Sequence, residues 1–151
     1  MESIYTPGID APEELKQNEE AKQVSESAAR KPRPYTPWIV GGTEYKLKLT
    51  SSVIAKLEAK IKDSLLNVVL DKGIPPVSVT VTILQAACQK YQHGLRAETV
   101  EELYDEYIDD GHTQLDLLAE ILLPLMGDAG FFTMKQLELM QQEMQTADQE
   151  L

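Results

Sequence analysis

ETVEELYDEYIDDGHTQLDLLAEILLPLMGDAGFF, residues 98–132, is the stretch whose reading decides the fold. Val100, Leu103, Tyr104, Tyr107 and Ile108 recur at the spacing of one helix face turned to a core, and Leu115, Leu118, Ile121, Leu122 and Leu125 repeat the pattern. Asp109-Asp110-Gly111-His112 joins the two runs, and Gly130-Phe131-Phe132 closes the second. No Lys or Arg falls between Arg96 and Lys135, whereas ten carboxylates do: Glu98, Glu101, Glu102, Asp105, Glu106, Asp109, Asp110, Asp116, Glu120 and Asp128. The stretch therefore predicts two packed helices whose outer, solvating face is almost purely anionic.

Upstream, Trp38-Ile39-Val40, then Gly41-Gly42, then Thr43 to Leu49 form a hairpin signature. Two glycines supply the positive φ values of a tight turn, and Tyr45, Leu47 and Leu49 alternate with Glu44, Lys46 and Lys48. Two strands alone are marginal in water, so this hairpin must lie on the helices or pair with another chain. A cap at Thr50, Ser51 or Ser52 predicts a helix running to about Leu70, with Ile54, Leu57, Ile61, Leu65 and Val68 on one stripe. Its Lys56, Lys60 and Lys62 point to packing or subunit contacts of opposite sign with the acidic pair. Asp71-Lys72-Gly73 ends it and Pro75-Pro76 forbids continuation.

Val77 to Tyr91 carries two periods at once, alternation at Val77, Val79, Val81 and Ile83 and a helical stripe through Val79, Ile83, Leu84, Ala87, Cys88 and Tyr91. An unbroken run this long favours a helix, stopped by Gly94. After the central pair, Thr133 can cap a last helix with Met134, Leu137, Met140 and Met144 along one side. At the other end, residues 1–36 hold few large aliphatics and several prolines, too little apolar surface to offset their ordering entropy. The expected organisation is mainly α: a flexible arm over residues 1–36, a compact four- to five-helix domain with an N-terminal β-hairpin over 37–132, and an amphipathic C-terminal helix or tail over 133–151.

A chain of 151 residues is one domain's worth, and its net charge of −11 disfavours nucleic acid and anionic membranes as partners. No apolar run reaches the length of a membrane span, and the N-terminus lacks the basic-then-apolar order of a secretory signal. The lone Cys88 reads as a small core residue in a reducing compartment. The Asp105 to His112 cluster tempts toward a metal, but Tyr107 and Ile108 fall among the would-be ligands and a Ca²⁺ loop's alternate oxygens are missing. His93 and His112, each beside a glycine at a helix end, need no function. With no catalytic or phosphate-binding motif present, the expectation is a protein without catalytic, metal or cofactor-binding residues.

The order of segments resembles the short form of the tail assembly chaperones of long-tailed bacteriophages and prophage elements of Gram-positive hosts. The residues that carry the likeness are Gly42 to Thr50 before the first helix, Pro75-Pro76 before the second, Gln89 to Gly94 at its end, Leu103 to Gly111, and Gly130-Phe131-Phe132. The resemblance implies a helical protein of the host bacterial cytoplasm. It would bind the aggregation-prone tape measure protein, with the tail tube protein as a further partner, and leave before the virion is complete. A chaperone of that kind needs an apolar groove with enough charge to keep the complex soluble. Leu103, Tyr104, Tyr107, Ile108, Phe131 and Phe132 are more simply core, so the Met stripe is the better surface. The expected contact residues are Phe131, Phe132, Met134, Leu137, Met140 and Met144. From another class comes the alternative, a structural tail or connector subunit retained in the particle and pairing through its hairpin; homo-oligomerisation stays open under either.

Overall fold

The computed structural model describes residues 32–71 and 73–150, with side chains through residue 146. Two strands, β1 (Thr36–Val40) and β2 (Thr43–Leu47), pair antiparallel, with Trp38 opposite Tyr45 and Val40 opposite Thr43. Gly41 and Gly42 hold φ of 57° and 80°, the pair of left-handed conformations that a two-residue hairpin turn requires. Trp38, Val40, Leu47 and Leu49 are buried, and Ile39 and Glu44 face outward. The hairpin lies on the helices: the Lys48 N–H donates to the Ala87 carbonyl at 2.9 Å, and the Trp38 ring meets Tyr107 edge-on with centroids 6.1 Å apart.

The helices follow as α1 (Ser51–Ile61), α2 (Leu65–Leu70), α3 (Val77–Cys88) and α4 (Ala97–Asp109). Thr50 caps α1, its hydroxyl accepting from the Val53 N–H. The single helix expected from Thr50 to Leu70 is instead two. Lys62 takes a left-handed φ of 64°, and Ser64 restarts the helix by accepting from the Asn67 N–H. The Lys62 N–H makes the last regular bond of α1, to the Glu58 carbonyl, and three side-chain acceptors hold the break: Glu58 Oε2 takes the Leu65 N–H, and both Asp63 carboxylate oxygens take the Asn67 side-chain amide. Polar side chains that compete for main-chain groups end helices that an apolar stripe alone would prolong.

Val77–Cys88 is helical, as its length argues, and ends six residues before Gly94. The turn that follows places Gln92 against β2, where its amide accepts from the Lys46 N–H at 2.8 Å and donates to the Lys46 carbonyl at 2.9 Å. A side chain thus fills one hydrogen-bonding pair of the outer edge of β2.

Beyond Gly111 runs α5 (Gln114–Leu117), a π-helical turn (Leu118–Leu122) and α6 (Leu123–Asp128). Thr113 and Asp116 form a reciprocal capping box at the start. The π turn answers to Pro124, which has no N–H to give and whose ring would crowd the carbonyl four residues back. With the Leu123 N–H turned to the Leu118 carbonyl, the Ala119 carbonyl has no main-chain donor at either the fourth or the fifth position after it. Gln141 of the last helix, α7 (Met134–Glu150), supplies one, its side-chain amide donating at 2.8 Å. Gly130 ends α6 at a φ of 93°, and the Phe131 N–H closes back on the Met126 carbonyl. Thr133 caps α7 as expected, exchanging hydrogen bonds with Gln136 in a second capping box.

The domain is mainly helical with an N-terminal hairpin, and one continuous core runs from Trp38 to Leu137. Two expectations are corrected. Asp128 is no part of a solvating face: it is buried, and it accepts from the Arg33 main-chain N–H, the Arg33 guanidinium and the Thr36 hydroxyl, the last at 2.6 Å. The partner lies 95 residues away, beyond what a local count of charges can see. Arg33 and Thr36, assigned by sequence to the arm, therefore belong to the folded unit, while residues 1–31 of that arm lie outside the described residues.

Candidate functional site

Of the seven large hydrophobic residues left exposed among the described residues, Leu66, Leu70, Ile74 and Val77 fall within one short segment. The split of the expected long helix makes this segment. α2 restarts with its own face toward the core, burying Leu65, Val68 and Val69 and leaving Leu66 and Leu70 outward one turn apart. Gly73, at a φ of 76°, then turns the chain so that Ile74 stands 48% exposed ahead of Pro75.

Leu70 and Ile74 form one wall of a groove of about 280 Å³. Leu115, Leu118 and Leu123 supply its floor, and Met140, Glu143 and Met144 of α7 form the facing wall. The floor is the run of α5, the π turn and α6, and the α7 wall is held on it by the Gln141 bond to Ala119. Methionine on such a wall is unbranched and polarizable, able to adapt to differently shaped apolar side chains.

The six residues expected to contact a partner separate. Met140 and Met144 line the groove and are half-buried. Leu137, 6% exposed, is taken into the core. Phe131, Phe132 and Met134 are half-buried and pack on the core around Gly127, where an added Cβ would come within 3.4 Å of the Phe132 ring and 3.8 Å of Met134. Leu70 and Ile74 escaped the sequence reading. Their signal was present: Leu66 and Leu70 fall off the stripe that defines α1, and Ile74 sits between a glycine and two prolines, where no helix face can bury it.

The acidic link between α4 and α5 is a shallow hollow whose lining includes Asp105, Asp109, His112 and Gln114. His112 stacks on Tyr107, with ring centroids 4.2 Å apart and planes within 10°, and so serves packing. Among the described residues no group of three or more His, Cys, Asp or Glu side chains is placed to hold a metal ion. Burial pushes the Cys88 thiol up to about 11, which suits a packed residue and not a nucleophile. Burial, with Glu120 and Asp116 adding to it, pushes the Tyr107 phenol up to about 12. Burial also raises Tyr104, with a smaller contribution from Asp105. No described helix is long and apolar enough to cross a membrane.

No curated protein and no solved structure matches the chain. Residues 36–151 match a family of unknown function, from the first residue of β1 through α7, so that the hairpin, the Thr36–Asp128 bond and both walls of the groove fall within the match, while Arg33 precedes it. The chain belongs to this family, DUF6096.

Proposed function

We propose that this protein is a non-enzymatic tail assembly chaperone of the host cytoplasm that holds an amphipathic helical segment of a tape measure protein in the groove between Ile74 and Met144. The observation that carries the reading is an apolar groove open to solvent on a chain whose net charge is −11. A long helix awaiting assembly exposes an apolar stripe, and Leu70, Ile74, Met140 and Met144 offer it a matching surface. Covering each half-exposed aliphatic contributes about 1 kcal/mol, enough for a reversible complex that assembly can displace. The exposed carboxylates of α4 keep such a complex dispersed.

The alternative, a subunit retained in the particle through hairpin pairing, has less to work with. Gln92 occupies the outer main-chain groups of Lys46 on β2, and Pro37 removes a donor from β1. Co-expression with the tape measure protein of the same genome segment tests the reading. Soluble tape measure protein is expected with the wild-type chain and should fall severalfold with Leu70→Ser/Ile74→Ser, whose positions are already exposed. Client solubility that ignores both the chain and the double variant would sink it, and a stoichiometric presence in purified particles would favour the retained subunit.

A further inference from the structure

A second concavity, of about 240 Å³, lies between α1 and α3. Its apolar lining is Val53 and Leu57 from α1 and Ala86 from α3, and Lys56 and Lys60 stand at its α1 side with Gln85 opposite. The two lysines are exposed and four residues apart, hence on one face of the helix. Among the described residues neither has an ion-pair partner. The one carboxylate on α1, Glu58, is engaged with the Leu65 N–H. On a chain this acidic, two unneutralised cations beside an apolar notch make a local surface of opposite character to the rest.

We propose that this notch docks an acidic amphipathic helix of a partner protein, its apolar side chains seated on Val53, Leu57 and Ala86 and its carboxylates meeting Lys56 and Lys60. A notch between two packed helices accepts a third by the same ridge-and-groove fit that joined the first two. A second copy of this chain is a poor occupant. Its most acidic helix, α4, turns Val100, Leu103, Tyr104 and Tyr107 into its own core and leaves only the half-buried Ile108 as a large apolar side chain beside them. The surface is separate from the Met-walled groove, which carries a carboxylate, Glu143, and no lysine among its described lining residues.

The test uses two synthetic peptides about four helical turns long, with one leucine stripe and either Glu or Lys on the remaining positions, titrated by fluorescence anisotropy at physiological salt. The Glu peptide should bind saturably, and Lys56→Glu/Lys60→Glu should weaken it at least tenfold with the circular dichroism unchanged. Ala86→Phe, which fills the notch without touching charge, should weaken it as well. Binding of the Glu peptide that survives the double lysine variant, or that is lost in Leu70→Ser/Ile74→Ser instead, overturns the proposal. So does self-association in sedimentation that the lysine variant abolishes, which would make a second copy the occupant.

Discussion

Tyr107 joins the two halves of the molecule: its ring meets Trp38 of the hairpin on one side and stacks on His112 on the other, 3% exposed. Its hydroxyl and Trp38 Nε1 are buried without a hydrogen-bond partner among the described residues. An unpaired buried hydroxyl carries a desolvation penalty and no compensating bond. Tyr107→Phe should therefore leave stability unchanged or raise it by up to about 1 kcal/mol in urea denaturation. Tyr107→Ala, which empties the ring's place, should cost about 3 to 5 kcal/mol. A Phe variant destabilised as much as the Ala one would mean that the hydroxyl has a partner. Cys88 makes an alkaline prediction. Its thiol ionises near 9.0 when exposed and near 11 in the fold. Below the lower value both states keep the proton, and between the two only the unfolded chain gives it up. Cys88 should account for a fall of about 2 to 3 kcal/mol across that window, and Cys88→Ala should remove that share of the slope, leaving the part that Tyr107 contributes from about pH 10 upward. The burial of both residues was legible from their places on apolar stripes, whereas the missing partner of the phenol was not, because satisfaction of a polar atom is a property of the neighbours that folding brings.

Helices were legible where a stripe and a cap agreed and misread where polar side chains or proline intervened. Thr133 with Gln136 and the glycines of the hairpin act within a few residues of where they stand, so the pattern and the structure coincide there. Ser64 also acts locally, yet an apolar stripe running through Ile61, Leu65 and Val68 concealed it. Pro124 was the other overlooked sign, in the middle of a leucine-rich run that otherwise reads as one helix. Its consequence appears far off in sequence: the Ala119 carbonyl it leaves without a main-chain donor is met by Gln141, 22 residues on. Gln141→Ala should cost about 1 to 2 kcal/mol, the penalty of a carbonyl stripped of its partner, and should raise amide exchange in α7 more than in α3 or α4. Pro124→Ala in the same background restores a main-chain donor near that carbonyl and should recover part of the loss. Equal exchange in α7 with and without Gln141 would show that the apolar contacts of Leu137, Met140 and Met144 alone hold the helix.

At the scale of the whole molecule, charge and apolar surface oppose each other. The chain carries a net charge of −11 at neutral pH, and its isoelectric point lies near 4.6. Composition alone made that repulsion legible, but the exposed apolar segment from Leu66 to Val77 needed the fold, because it exists only where α2 restarts after the break at Lys62. At neutral pH the net negative charge opposes the approach of one copy to another, although Leu70 and Ile74 stand open beside Met140 and Met144. As the pH falls toward the isoelectric point the carboxylates take up protons, the repulsion fades, and an open apolar groove becomes free to meet another. Light scattering should therefore rise steeply between about pH 5.5 and 4.6 while far-ultraviolet circular dichroism is still native. Leu70→Ser/Ile74→Ser changes no charge and should blunt the rise severalfold, whereas Leu139→Ser, at an exposed leucine not among those lining the groove, should leave it nearly as it was. If both variants scatter like the wild type, loss of charge alone drives the association and the groove is not the sticky surface. If the double variant alone stays dispersed, the groove is the surface through which this acidic chain meets apolar partners, and adding a synthetic amphipathic helix should suppress scattering of the wild type in the same pH interval.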